Sequence, residues 1–130
     1  IDLKKIGNEY FSFVENGKKK IQKNLKKIFK KIEKSSFGEL FINSIDRDGT
    51  GNGLDYNMLN DIPSKFIKPI IISGGTGNFQ HALEGFNKNN FNAISTSNLL
   101  NFVGNGLTSM RNKLIENNIN FPKWDYSKIN

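Results

Sequence analysis

The stretch GELFINSIDRDGTGNGLD, Gly38 to Asp55, joins a short apolar run directly to a long polar loop. The run Leu40 to Ile42 is typical of a buried β-strand, which we assign to residues 39–43. Residues 44–53 then hold two aspartates, one arginine and three glycines, more charge and flexibility than a simple turn needs. The stretch therefore predicts a strand that carries a functional loop at its carboxyl end.

An apolar strand followed by a turn and a helix recurs along the chain, and the quoted stretch is the second such unit. We predict four βα units, with strands at 1–4, 39–43, 70–72 and 91–95 and helices at 24–35, 56–62, 78–86 and 107–117. A β-hairpin near residues 10–20 turns at Asn16-Gly17, and a tail covers 119–130. Because three strands are short apolar runs, both faces of the sheet should be covered, which indicates a parallel α/β sheet with right-handed crossovers.

Length and composition limit the class of protein. The 130 residues suffice for one compact domain, 1–130, and no linker divides it. The absence of cysteine excludes a disulfide framework and thiolate chemistry and fits a reduced cytoplasmic setting. No apolar run approaches the length of a membrane span. The chain begins with Ile1, and IDLKK is typical of the end of a strand, so we expect a fragment of a longer protein.

The net charge of +7 comes largely from one segment, because nine lysines lie between Lys18 and Lys34. In the same segment, apolar residues recur at the spacing of one helix face: Ile21, Leu25, Ile28, Phe29 and Ile32. The lysines are then the solvated face of an amphipathic helix. Since the aromatic residue lies on the buried face, there is no stacking platform, and we predict no nucleic-acid partner.

The polar loops that follow the strands are predicted to meet at one edge of the sheet, where parallel sheets and barrels bind ligands. The turn SGGTG, Ser73 to Gly77, precedes a helix. Glycine amides beside a helix N-terminus favour an anion such as phosphate. Ser97-Asn98, after the next strand, supports the same site, and a tight turn with Ser73 as the helix cap is the simpler alternative.

Acidic residues near these loops are candidates for acid–base chemistry, each with a structural alternative. Asp2, Asp46 and Asp48 lie at or just beyond strand ends, where a carboxylate can transfer protons. Asp48-Gly49 is also typical of an Asx turn, and Asp46 can pair with the arginine that follows it. His81 is the only histidine and lies within a predicted helix, so we assign it a structural role and expect no metal and no cofactor.

The motifs INSIDRDGTGNGLD and PIIISGGTG, followed by Gln80-His81, resemble the cyclase subunits of imidazole glycerol phosphate synthase. The leading IDLKK and the hairpin with GKK resemble that family's fifth strand and its extension. The likeness covers nearly the whole of this chain but only the C-terminal half of the family's proteins. It implies strands five to eight of a (β/α)₈ TIM barrel, with strands one to four in a missing N-terminal half-barrel.

The resemblance also implies an activity. In this family a glutaminase partner makes ammonia, which passes through the barrel and reacts with a ribulosyl phosphate intermediate of histidine biosynthesis. The products are imidazole glycerol phosphate and aminoimidazole carboxamide ribotide, a lyase-cyclase step in the cytoplasm. Asp2 matches the general acid on strand five. Its partner aspartate belongs to strand one, so this chain alone should be inactive.

Further site residues follow from the same resemblance. Asn43 and Ser73 match pocket-lining positions. Glu39, which local reasoning would leave exposed at the start of its strand, matches a charged residue at the ammonia entrance. Six more residues match positions at which the family contacts the substrate and its phosphate: Asp48, Gly49, Gly74, Gly75, Ser97 and Asn98.

Some residues depart from the family pattern. Ile21-Gln22 stands where the family has Thr-Gly after GKK, and Asn98 stands at a position often held by serine. Asn43 and the tail FPKWD look more like paralogues from surface-polysaccharide gene clusters, which use channelled ammonia to amidate a sugar derivative. Such an amidotransferase subunit is one alternative, and a non-catalytic phosphate-binding half-barrel is another.

Overall fold

The structure is a computed structural model that describes residues 1–21, 24–88, 91–97, 99 and 104–123. Its strands are β1 (Asp2–Ile6), β2 (Glu9–Val14), β3 (Lys19–Lys20), β4 (Leu40–Ser44), β5 (Ile70–Ser73) and β6 (Ala93–Ser95). Its helices are α1 (Leu25–Glu33), α2 (Phe79–Asn87) and α3 (Gly106–Glu116), with a 3₁₀ turn at Tyr56–Leu59. Within the described ranges, no helix is long and apolar enough to cross a membrane.

The strands form one mixed sheet in the order β3-β2-β1-β4-β5-β6. β1, β4, β5 and β6 are parallel neighbours, as the sequence predicted, and β1, β2 and β3 are antiparallel. The predicted hairpin near residues 10–20 is β2–β3. The antiparallel pairing of β1 with β2, whose turn contains Gly7 at φ +62°, was not predicted.

The first strand does not end near Lys4, as predicted, because it has two different partners. Only Asp2 and Leu3 pair with β4, and the strand then continues to Ile6 as one arm of the β1–β2 hairpin. The backbone N–H of Lys5 donates to Asp46 Oδ2 at 2.7 Å, which ties this extension to the loop after β4. The parallel part of β1 therefore ends at Leu3, one residue before the predicted end of the strand.

The helix predicted at 56–62 is a single 3₁₀ turn at Tyr56–Leu59, so the second βα unit contains no α-helix. Asp55 begins the turn, because its Oδ1 accepts the N–H of Asn57 at 3.2 Å. Pro63 disfavours helical backbone at the residue before it and has no N–H to donate. Too few residues remain between these two limits for a stable α-helix.

The α-helices match the predicted segments and have asparagine caps at two of their starts. Asn24 accepts the N–H of Lys26 at 2.9 Å, and Asn78 accepts the N–H of His81 at 3.0 Å. In α1, Leu25 and Phe29 are buried while its lysines are exposed, as the amphipathic pattern predicted. α1 thus covers the sheet with its apolar face.

One face of the parallel sheet is packed and the other is open. Leu40, Ile42 and Ile72 are buried in a cluster with Phe29 of α1. Phe41, on the opposite face of β4, is 43% exposed. The prediction that both faces are covered is therefore met on one face only within this chain. A partial barrel has this asymmetry, because its interior face packs against strands on the far side.

A second apolar cluster lies beyond β6. Ala82 of α2 and Met110 and Leu114 of α3 are buried there with Leu99. The predicted tail begins by packing against this cluster through Ile119 and Phe121, and residues 124–130 lie outside the described ranges.

Candidate functional site

Four polar side chains form one row across the carboxyl ends of the parallel strands. The strand registers pair Asp2 with Asn43, Asn43 with Ser73, and Ser73 with Ser95. Residues paired in this way project from the same face of a sheet. Since side chains alternate along each strand, this face is the open one that carries Phe41. The row thus brings together Asp2, Asn43 and Ser73, which the resemblance implied as site residues, with Ser95, which was not singled out from the sequence.

Asn43 and Asp2 are joined by a hydrogen bond in this row. Asn43 Nδ2 donates to Asp2 Oδ1 at 3.3 Å, and both residues are half-buried. Asp2 also lines a cleft with Asn43 and Asp48, closed on one side by Asn16 and Gly17 of the hairpin turn. The β2–β3 hairpin therefore forms part of the wall beside the candidate catalytic carboxylate.

The glycine turn after β5 packs against the loop after β4. Gly74 has φ +96°, and a Cβ there would lie 2.6 Å from the carbonyl oxygen of Ser44. Gly75 has φ +100°, and a Cβ there would lie 2.2 Å from the carbonyl oxygen of Gly53. The backbone N–H of Gly53 donates to the carbonyl oxygen of Gly75 at 2.8 Å. These glycines are therefore needed for the loops to meet, whatever they bind.

A small second cleft lies where the three loops converge. Six of the predicted contact residues line it: Asp48, Gly49, Ser73, Gly74, Gly75 and Ser97. The loops after β4, β5 and β6 thus open together, as their positions at strand ends predicted. Of the two remaining predicted contacts, Asn43 lines the first cleft and Asn98 lies outside the described residues.

Sequence reasoning missed other residues that line this cleft, namely Gly51, Thr76, Ser95 and Thr96. Thr76 is 3% exposed, and its hydroxyl has no hydrogen-bond partner within the described part of the chain. The Thr96 hydroxyl donates to the Thr76 carbonyl at 3.1 Å and links the loops after β5 and β6. Threonine within a glycine turn before a helix is the signal that could have pointed to Thr76.

Asp46 and Asp48 have different roles in the loop after β4. Asp46 accepts the Lys5 N–H, and the arginine beside it donates through Nη1 to the oxygen of Asn52 at 2.9 Å. The alternative that this aspartate and arginine pair with each other is thus wrong. Asp48 is exposed and lines both clefts, although its own N–H donates to Ser44 O at 2.9 Å in a turn.

His81 stabilises the start of α2. Its Nδ1 accepts the N–H of Gly77 at 3.2 Å, and its own N–H donates to Asn78 Oδ1. This geometry is the structural role predicted for His81. It also uses the Gly77 amide, so an anion at the turn would be bound by the amides that precede Gly77.

Glu39 lies away from the row, at the amino end of β4, and is exposed just before the strand begins. It shares the open face with Phe41 and Asn43 because side chains alternate along the strand. Among the described residues, no three histidine, cysteine, aspartate or glutamate side chains come together in a group able to hold a metal ion.

A parallel α/β sheet whose polar side chains and glycine turns meet at the strand ends is typical of enzymes that bind small ligands there. Residues 1–102 match the family described as Histidine biosynthesis protein, and the chain belongs to this family.

The names of individual relatives are more specific than the family description. The chain is 37% identical over 111 residues to a protein of Parasynechococcus marenigrum provisionally named imidazole glycerol phosphate synthase subunit hisF2, covering 85% of this chain and 41% of the relative. It is 37% and 35% identical, each over 102 residues, to imidazole glycerol phosphate synthase subunits HisF of Prosthecochloris aestuarii and Pelodictyon phaeoclathratiforme, covering 78% of this chain and 41% of each relative. The resemblance drawn from the sequence motifs is thereby confirmed. The chain spans less than half the length of these relatives.

Proposed function

We propose that this chain is the C-terminal half, strands five to eight, of the cyclase subunit of an imidazole glycerol phosphate synthase. In this proposal β1, β4, β5 and β6 are the four strands of the half-barrel, and the open face of the sheet lines the barrel interior. The observation that carries the proposal is the row Asp2, Asn43, Ser73 and Ser95, in register at the carboxyl ends of the strands. The reported relatives carry the synthase name and do not favour either alternative function.

The open face offers a route for ammonia from a glutaminase subunit. Glu39 lies at one end of β4 and Asn43 at the other, about 13 Å away along the strand. Phe41 lies between them on the same face, beside Ile71 of β5. In a closed barrel such apolar side chains would exclude bulk water, while Glu39 would border the entrance. Ammonia entering there would emerge beside Asp2.

In this proposal the three loops that line the small cleft bind one phosphate of the ribulosyl phosphate substrate. The positive φ angles of Gly74 and Gly75 turn the backbone at the start of the segment that leads into α2, where backbone amides favour an anion. The Thr76 hydroxyl, which has no partner among the described residues, and the Ser97-Asn98 segment would complete the contacts. Because a carboxylate repels phosphate, Asp48 would instead contact a hydroxyl of the substrate, with Gly49 beside it.

Asp2 is the carboxylate that would act as general acid in this half of the site. It lies in the row at the barrel mouth, whereas Asp46 is used by the Lys5 N–H. Asn43 and Ser73 flank the reacting centre. In the cytoplasm the complete subunit would then form imidazole glycerol phosphate and aminoimidazole carboxamide ribotide, with no cofactor.

The test is a set of three aspartate substitutions in the complete protein, assayed with added ammonia so that the glutaminase plays no part. Asp2→Asn removes the transferable proton, so the turnover rate should fall by about 10²-fold or more with little change in KM. Asp48→Asn should mainly raise KM. Asp46→Asn is the matched control, because an amide oxygen can still accept the Lys5 N–H, and its turnover should stay near that of the parent. Near-normal turnover of Asp2→Asn would contradict the assignment.

A further inference from the structure

We infer that Asn43 is a positioning residue that holds the Asp2 carboxylate in place, and that it acts through Asp2 without contacting the substrate. The inference rests on the proposed function, in which Asp2 is the general acid. It changes the role that the family resemblance gives Asn43, which is that of a residue lining the substrate pocket.

The first support is the register of the sheet. Asn43 and Asp2 are direct partners on neighbouring parallel strands and project from the same face. Neighbouring strands lie about 4.8 Å apart, so two short side chains at paired positions reach each other sideways. The distance of 3.3 Å from Asn43 Nδ2 to Asp2 Oδ1 is the result.

The second support is that the other end of the Asn43 amide lies beside the turn after β5. A Cβ placed on Gly74 would lie 3.2 Å from Asn43 Oδ1, so this oxygen packs against the backbone of the turn after β5. The amide therefore lies across the sheet, with its nitrogen towards β1 and its oxygen towards Gly74. Each polar atom of the side chain thus lies beside a neighbouring segment of the chain, and Gly74, which has no side chain, leaves the space that the amide occupies.

The consequence concerns the orientation of Asp2. The hydrogen bond from Asn43 to Oδ1 would restrict the rotation of the Asp2 carboxylate within the cleft that Asp2, Asp48 and Asn16 line, and Oδ2 is the oxygen that this bond does not use. A proton donor works only when it is held within hydrogen-bond reach of the reacting atom. Asn43 would supply this restraint from the neighbouring strand.

The test is a double-mutant cycle in the complete protein with added ammonia, comparing Asn43→Leu, Asp2→Asn and the pair. Leucine has the same branched shape and number of side-chain heavy atoms as asparagine but cannot donate a hydrogen bond. We expect Asn43→Leu to lower kcat by about tenfold with KM within about twofold, because the carboxylate loses its orientation while the substrate contacts remain. In the Asp2→Asn background the same change should alter kcat by less than about twofold, because the group on which Asn43 acts is already absent.

Asn87→Leu is the control, because Asn87 is exposed at the carboxyl end of α2, the end of that helix away from the site. Its kinetics should equal those of the parent. If Asn43→Leu unfolds, as judged by circular dichroism, Asn43→Ala takes its place in the cycle and the same outcomes apply.

The outcomes separate the inference from the proposed function. A raised KM with unchanged kcat in Asn43→Leu, or an equal loss of kcat with and without Asp2, would mean that Asn43 contacts the substrate and would overturn the inference alone. Normal turnover in Asp2→Asn would overturn the catalytic role of Asp2 and the inference with it. A tenfold loss of kcat that disappears in the Asp2→Asn background supports both.

Discussion

The two faces of the parallel sheet differ in what their side chains do. On the packed face, Ile42 and Ile72 are fully buried against α1 and the 3₁₀ turn. On the open face, Phe41 is 43% exposed, and the row that begins at Asp2 is polar. The same strands therefore provide the core on one side and the candidate site on the other. We expect substitutions of adjacent residues of one strand to affect stability and the candidate site separately.

The largest effect on stability is expected on the packed face. Ile42→Ala should lower the free energy of unfolding by about 4 kcal/mol, because removing a fully buried isoleucine side chain leaves a cavity. Phe41→Ala, one residue away on the open face, should cost less than about 1 kcal/mol, because much of that ring is already in water. Urea unfolding of the 130-residue chain measures both. Equal losses would mean that the open face is packed in solution, and the contrast between the faces would be wrong.

The next largest loss of stability is expected in the glycine turn after β5. Gly75→Ala should lower the free energy of unfolding by about 3 kcal/mol, because a positive φ is strained for alanine and its Cβ would collide with Gly53. Gly7→Ala is the matched control, because Gly7 has φ +62° but no atom within 4 Å of a Cβ. It should show only the backbone strain, about 1 kcal/mol. If the two variants lose the same amount, the contact between the loops contributes nothing to stability.

Much of the fold could be predicted because its signals are local. The apolar run at 70–72 and the helix period of α1 each depend on residues close in sequence, and the structure has both elements. The convergence of the three loops was also predictable, since parallel strands place their carboxyl ends on one side. The prediction of an α-helix at 56–62 was wrong because the segment between Asp55 and Pro63 is too short for a stable α-helix.

The contacts within the site could not be predicted, because they depend on register. That Asn43 lies opposite Asp2, 41 positions earlier, is fixed by the pairing of β1 with β4 and leaves no trace in local sequence. The pairing of Asp46 with the Lys5 amide is of the same kind. The sequence of Gly74 and Gly75 suggested anion binding. Their close approach to the loop after β4, which leaves no room for a Cβ, depends on the three-dimensional fold and could not be predicted.

The smallest effect on stability is expected for a hydrogen bond between β2 and the loop after β4. Tyr10 of β2 is buried in the same apolar cluster as Phe29 and Ile42, and its hydroxyl donates to Asp55 Oδ2 at 2.7 Å. Burial, together with the hydrogen bond to Asp55 and that carboxylate's charge, raises the pKa of Tyr10 well above its ordinary value. Tyr10→Phe keeps the ring but removes the bond, so it should lower the free energy of unfolding by about 1.5 kcal/mol at neutral pH.

The pH dependence of this contribution has a definite sign. The folded protein holds the phenolic proton more tightly than the unfolded chain, whose tyrosine pKa is about 10. The bond therefore contributes fully below about pH 10 and is lost as the pH rises further, because the unfolded state releases its proton first. The free energies of unfolding of the parent and Tyr10→Phe, measured in urea between pH 7 and about pH 11, should converge above pH 10.

Tyr56→Phe is the control, since the Tyr56 hydroxyl donates to the His81 carbonyl at 3.3 Å and not to a carboxylate. Its cost at neutral pH should be smaller. A constant difference between the parent and Tyr10→Phe up to pH 11 would show that the hydroxyl of Tyr10 does not hold the hairpin to Asp55.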